Sequence, residues 1–183
     1  RITPGTAGEV VLTFAIAYGV SQLVFGPLGD RWGKARVVCA ALFGCAGGAL
    51  ACAFAGGFDM LLRLRVLWGI AAGGVIPLAI AWIGDAVPYE ERQATLARLL
   101  LGTLSGMSAG QLAGGLFADS APGWRGAFGA RFVGYLVMAV LLLVRLRRIP
   151  AAAPVRGAGR FASLRQLGAV LAIPWARVVV AAG

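Results

Sequence analysis

Histidine is absent from this sequence, and carboxylates are scarce: seven Asp and Glu in 183 residues. A chain with no histidine and no acid cluster has little from which to build a metal centre. It has equally little from which to build the acid–base groups of a hydrolase. Charged residues of both signs make up 13% of the chain, whereas a soluble domain carries about 25%. So few charges cannot cover a soluble surface, which points to a membrane protein with several spans. Cysteine is rare as well. Cys39, Cys45 and Cys52 lie in one apolar run without a CxxC pair, and read as small buried hydrophobes. The first apolar run has neither the basic n-region nor the cleavage site of a signal peptide. The chain starts at Arg1 and stops at Gly183 within an apolar run, so we expect an internal piece of a longer protein.

What the sequence has in quantity is apolar residues (60%, mean hydropathy +0.84) and 28 glycines. Small residues allow transmembrane helices to approach closely. The formal net charge is +10, but the arginines sit between apolar runs. Topology therefore explains them better than nucleic acid does.

Apolar runs long enough to cross a hydrocarbon core of ~30 Å are expected at about 9–28, 35–57, 60–86, 93–118 and 127–144. Residues 1–8 read as a loop. Tyr18 and Gln22, four apart, share a helix face that either packs or lines a cavity. Asp59 can cap the third span and pair with Arg63, and Pro88 ends that span. The fourth span carries Gly102, Gly106, Gly110 and Gly114, with Gly115 beside them, a GxxxG ladder suited to helix packing. Trp124 suits a membrane interface. Residues 150–174 form a basic loop, part of it mildly amphipathic, and 175–183 begin a further span. The loops at 29–36, 87–92 and 145–175, with the residues flanking them, hold 12 of the 17 basic residues. That bias places them in the cytoplasm, and the first visible span then runs from outside to inside. One more helix is expected upstream.

The stretch from Gly26 to Arg36, GPLGDRWGKAR, closely resembles the loop signature G-x-L-x-D-R-x-G-R/K-x-x of the major facilitator superfamily. Gly26, Leu28, Asp30, Arg31, Gly33, Lys34 and Arg36 fall on the pattern. The resemblance implies a conformational switch on the cytoplasmic side. Gly26 and Gly33 would allow close packing, and Lys34 and Arg36 would pair with acids such as Asp85. Arg65 to Gly69, followed by Gly73, resembles the fourth-helix signature R-x-x-Q-G-x-x-x-G with Trp68 in place of Gln, and implies proton coupling at Arg65. The ladder from Gly106 to Gly115 resembles the fifth-helix signature G-x-x-x-G-P-x-x-G-G of drug–proton antiporters, with Gln111 where Pro is usual. Gly123-Trp124-Arg125-x-x-Phe128 resembles the gWRxxF turn of bacterial members.

The resemblance covers about 13–144. It implies an all-α polytopic bundle: helices 2–6 and the start of helix 7 of that fold, without the first helix or the C-terminal half. The implied function is secondary active transport of a small molecule by alternating access, as proton-coupled efflux across a bacterial inner membrane. Lipid, protons, the substrate and the C-terminal half are the expected partners. No cofactor, metal, nucleic acid or enzymatic activity is expected. Cavity candidates are Tyr18, Gln22, Arg65 and Gln111. Uptake or sugar efflux, a non-transporting sensor with the same fold, and a polytopic membrane enzyme are the rival readings.

Overall fold

A computed structural model describes residues 4–118, 120–121 and 123–148 of the chain. The described residues form six helices and no strand: α1 Pro4–Trp32, α2 Lys34–Ala53, α3 Phe58–Ala72, α4 Val75–Ala86, α5 Tyr89–Ala118 and α6 Gly123–Arg148. An all-α bundle is what such apolar runs must form, because lipid offers no partners for backbone N–H and C=O groups and a helix satisfies them internally. Helices α3 and α4 make one rod interrupted at Gly73-Gly74. Counting that rod once, four segments are long and apolar enough to cross a membrane: 11–32, 34–53, 58–86 and 123–148. Helix α5 has the length, with 30 residues. Its charged first turns and its Gly, Ser and Gln residues dilute its apolar character.

Most helices exceed the spans expected from the sequence, because helical geometry continues past the apolar stretch into polar ends. Helix α1 starts at Pro4, inside the expected loop 1–8; proline's fixed φ and missing N–H suit a first helical turn. Helix α5 starts at Tyr89, and Glu90 and Glu91 in its first turn suit the positive end of the helix dipole. At the other extreme, Arg145, Arg147 and Arg148 occupy the last turn of α6. The segments expected at 150–174 and 175–183 lie outside the described residues.

The largest departure is at the glycine-rich hinge. The expected loop shrinks to one residue, since α1 continues through Pro27 to Trp32 and α2 begins at Lys34. Gly33 alone turns the chain, at φ 90°. Its N–H donates to the Gly29 carbonyl (2.9 Å), and its own carbonyl accepts from Val37 N–H (3.1 Å). The second departure is the break at Gly73-Gly74 between α3 and α4. Pro77 has no N–H for the Gly73 carbonyl four residues back, and its ring crowds that carbonyl.

Helix α2 is the axis of the bundle. Cys45, Ala49 and Cys52 are fully buried and meet Trp68 of α3. Phe14 of α1, Leu64 of α3, and Phe128, Phe132 and Tyr135 of α6 close around them. A second cluster joins Val37 and Val38 of α2 to Leu78 of α4, with Phe25, Leu28 and Leu142 against it. The cysteines are free thiols filling space. Close helix approach comes from glycines on α2 and α3, not from the ladder on α5. A Cβ at Gly48 would lie 2.8 Å from Trp68 Cβ, and one at Gly69 would lie 2.7 Å from the Phe14 carbonyl oxygen. At Gly102, Gly106, Gly110, Gly114 and Gly115 a Cβ would meet nothing within 4 Å. The ladder expected to pack is thus open among the described residues.

Candidate functional site

Antiparallel connections bring the charged groups to the two ends of the bundle. At one end the α1–α2 junction meets the end of α4. Lys34 Nζ lies 2.5 Å from Asp85 Oδ2 and 3.8 Å from Asp30 Oδ1. The aliphatic part of Lys34 rests near Gly29, where a Cβ would fall 3.4 Å from Lys34 Cγ and 2.5 Å from Leu78 Cδ2. Lysine thus ties the last turn of α1 to that of α4, with the Asp30 side chain 45% and the Asp85 side chain 59% exposed to solvent. Arg31 and Arg36 are exposed and, among the described residues, make no ion pair. Pairing of Asp85 with Arg36 does not occur. Neither Gly26 nor Gly33 is a point of close approach, as a Cβ at either would meet nothing within 4 Å. Gly33 is needed for its backbone angle, and Gly29, which the signature leaves as x, is the glycine that packs.

At the opposite end Asp59 does not cap α3. Gly57 occupies that position without a side-chain hydrogen bond. Arg63 Nε donates to the Asp59 carbonyl at 3.4 Å, so the expected carboxylate pair is replaced by a backbone contact. The GWRxxF turn is explained residue by residue. Gly123 starts α6 at φ 54°. Arg125 Nη2 donates to the Ala55 carbonyl just past α2, at 3.2 Å. Trp124 lies edge-on to Phe128 (5.9 Å), whose ring meets Trp68 at 5.7 Å.

Between the two ends sits Arg65, two turns into α3. Its guanidinium lies over Phe14 (5.1 Å to the ring centroid) and Trp68 (5.5 Å). Cation–π contact of this kind stabilises a desolvated cation by about 0.5–2 kcal/mol. Arg65 Nε and Trp68 Nε1 are buried without a hydrogen-bond partner. Trp68, which replaces the Gln of the fourth-helix signature, thereby serves as the ring around which four helices pack: Phe14, Phe128 and Tyr135 all meet it edge-on at about 6 Å.

Two cavities border this centre. One, of about 720 Å3, is an apolar furrow between α1 and α3 lined by Thr13, Ala17, Ser21 and Ile70 among others. The other, of about 430 Å3, lies between α5 and α6 and is lined by Thr103, Gly106, Gly110, Gln111, Arg131 and Tyr135 among others. Gln111 is therefore on a cavity wall. Tyr18 and Gln22 line neither: Tyr18 stacks on Phe14 at 6.1 Å, and its carbonyl accepts from Ser21 Oγ. Arg65 joins the second cavity only through Tyr135, which lines it and touches Trp68. Arg131, eight residues from the start of α6, and Tyr135 were not among the cavity candidates, although an arginine within a span is a signal of its own.

The chain as a whole is similar to known proteins. The family model described as Major Facilitator Superfamily matches residues 1–183. An uncharacterised MFS-type transporter of Mycobacterium tuberculosis is 33% identical over 153 residues, covering 82% of this chain and 25% of the relative. The 4-hydroxybenzoate transporter PcaK of Pseudomonas aeruginosa is 30% identical, over 83% of this chain and 33% of its own length. The efflux pump radE of Floropilus chiversii is 29% identical, over 78% and 27% respectively. The chain thus spans a quarter to a third of these relatives, and the transporter family removes the reading as a membrane enzyme. With its apolar helices, its hinge signature and this match over its whole length, the chain belongs to the Major Facilitator Superfamily.

Proposed function

We propose that the chain is the helix 2–6 portion of a secondary active transporter that moves a small molecule by alternating access. The observation that carries this reading is the clasp at the α1–α2 hinge. Lys34 holds Asp85 and Asp30 in a solvated setting, where ion pairs are worth only about 0–1 kcal/mol. A clasp that weak can open and close as the two inverted repeats rock around a midplane site. The arginine-rich end, with residues 29–36, 87–92 and 145–148, faces the cytoplasm in this reading, and the membrane is a bacterial inner membrane.

Proton-driven efflux is the preferred direction, with Arg65 as the coupling residue. The resemblance to antiporters and a relative named as an efflux pump support it. Uptake is the second reading: other relatives are named as transporters and not as efflux pumps, 4-hydroxybenzoate transporters among them. The test is solute flux by the full-length protein in proteoliposomes under an imposed pH gradient, with Asp30→Asn and Arg65→Ala alongside. Gradient-driven flux that both variants lose supports the reading. A protein that moves nothing across a wide panel of dyes, sugars and organic acids would favour a sensor with the same fold.

A further inference from the structure

We propose that Leu78, seated on Gly29, is the residue that holds the clasp end of the bundle closed. The Lys34 charges set the register of that closure and not its strength. The proposal deepens the transporter reading by naming a positioning residue for its switch, and rests on that reading for the use made of the closure.

Fit comes first. Helices α1 and α4 meet through two reciprocal seats, each made of a large side chain and a glycine. Leu78 of α4 lies over the buried Gly29 of α1, where a Cβ would fall 2.5 Å from Leu78 Cδ2. Phe25 of α1 lies over Gly74, just before α4, where a Cβ would collide with the Phe25 ring. Phe25 and Gly29 are four apart, as are Gly74 and Leu78, so the two seats are one turn from each other. Leu78 N–H donates to the Gly74 carbonyl at 3.3 Å, which fixes that spacing. The stem of Lys34 borders the same notch, its Cγ 3.4 Å from the position of a Gly29 Cβ. Asp85, seven residues after Leu78, is two turns further along the same face of α4.

Burial comes second. Leu78 is 3% exposed and is the buried residue of α4. It clusters with Val37 and Val38 of α2, and Phe25 and Leu28 of α1, Leu42 of α2 and Leu142 of α6 pack against them. Side chains of four helices therefore meet at this seat. The charged contact beside it is of another kind, since both of its carboxylates are open to solvent. An exposed ion pair shifts an equilibrium by at most about fivefold. Because the neighbouring clasp is solvated, opening this end brings Leu78 into water. Exposing a buried leucine shifts an equilibrium by about ten- to a hundredfold. The clasp breaks readily, and the preference for the closed end comes from the seat.

The experiment reads the α1–α4 distance in the full-length protein in nanodiscs, by pulsed electron paramagnetic resonance. Spin labels are placed on Trp32→Cys and Ala86→Cys, the exposed last residues of the two helices. Solute flux in proteoliposomes is followed in parallel. We expect Leu78→Ala to raise the open-to-closed ratio at least about tenfold. Lys34→Gln should raise it at most about fivefold, and ~1 M salt should act no more strongly. Leu78→Met, which keeps the volume, should stay closed. Gly29→Ala should open the end in the native background, because the added methyl unseats Leu78. In the Leu78→Ala background it should add nothing.

Opening by Lys34→Gln as large as that by Leu78→Ala would overturn the proposal, as would additive effects of Gly29→Ala and Leu78→Ala. The salt arm keeps Leu78 and Lys34 in place, so it decides even where Leu78→Ala fails to fold. Opening by salt of about tenfold or more overturns the seat, and opening of about fivefold or less supports it. Flux together with a distance that no variant alters overturns the proposal and leaves the transporter reading intact. The expected ordering of variants in a protein that moves no solute supports the seat and removes the transporter reading.

Discussion

Glycine has three separate roles in this chain, and the distinction is testable at single residues. At Gly69 a side chain would meet the backbone oxygen of Phe14 at 2.7 Å, which cannot rotate away. Gly69→Ala should therefore force α1 and α3 apart and cost about 1–3 kcal/mol, read as a lowered midpoint of thermal unfolding in detergent. At Gly33 the limit is the backbone, with φ at 90°. Gly33→Ala should cost about 1–2 kcal/mol of left-handed strain, although nothing lies within 4 Å of the added methyl. At Gly102 neither limit applies, because α5 is helical there and the space is open. Gly102→Ala should be neutral or stabilise by up to about 1 kcal/mol through helix propensity. A comparable loss at all three positions would refute this division.

On the scale of whole helices, Trp68 decides how α1, α2, α3 and α6 meet. It is 3% exposed, and its neighbours include the fully buried Cys45, Ala49 and Cys52. Trp68→Gln, which restores the residue usual in the fourth-helix signature, removes the ring that Phe14, Phe128 and Tyr135 contact. The expected loss is about 3–5 kcal/mol, the range for deleting a large buried aromatic, with a fall in near-ultraviolet circular dichroism as the second measurement. Arg125 acts at the other level of strength. Its single donation to the Ala55 carbonyl joins the end of α2 to the start of α6. Arg125→Ala should cost about 0.5–1.5 kcal/mol, the net weight of one hydrogen bond, with Arg125→Lys recovering part of it.

For the molecule as a whole, orientation is the property that organises function. The native cysteines are free, and all three are at most 5% exposed. They should give little background with a membrane-impermeant maleimide. Single cysteines introduced at Glu90, at the clasp end, and at Gly56, at the Arg125 end, are both exposed positions. In intact cells the cysteine at 56 should be labelled and the one at 90 only after permeabilisation. The reverse pattern would turn the bundle over and move the Lys34 clasp outside the cell.

Much of this protein was decided by the sequence alone. Sixty per cent apolar residues in runs of about 20 can satisfy their backbone in lipid only as helices. The hinge, helix and turn signatures carried the family. A linear pattern could not show which glycines approach a neighbour, because GxxxG spacing fixes a face of a helix but not what stands opposite it. Gly29 and Gly69 pack while Gly102 and Gly114 do not, and that follows only from how α1, α3 and α4 cross. The same holds for charge. Asp85 could be named as a partner for Lys34 because both lie at helix ends on one side of a membrane. The meeting of Arg65, Arg131 and Tyr135 depends on the depth and rotation of three helices that are distant in sequence. Tertiary packing set those rotations, through the burial of Trp68 against Cys45, Ala49 and Cys52 of α2.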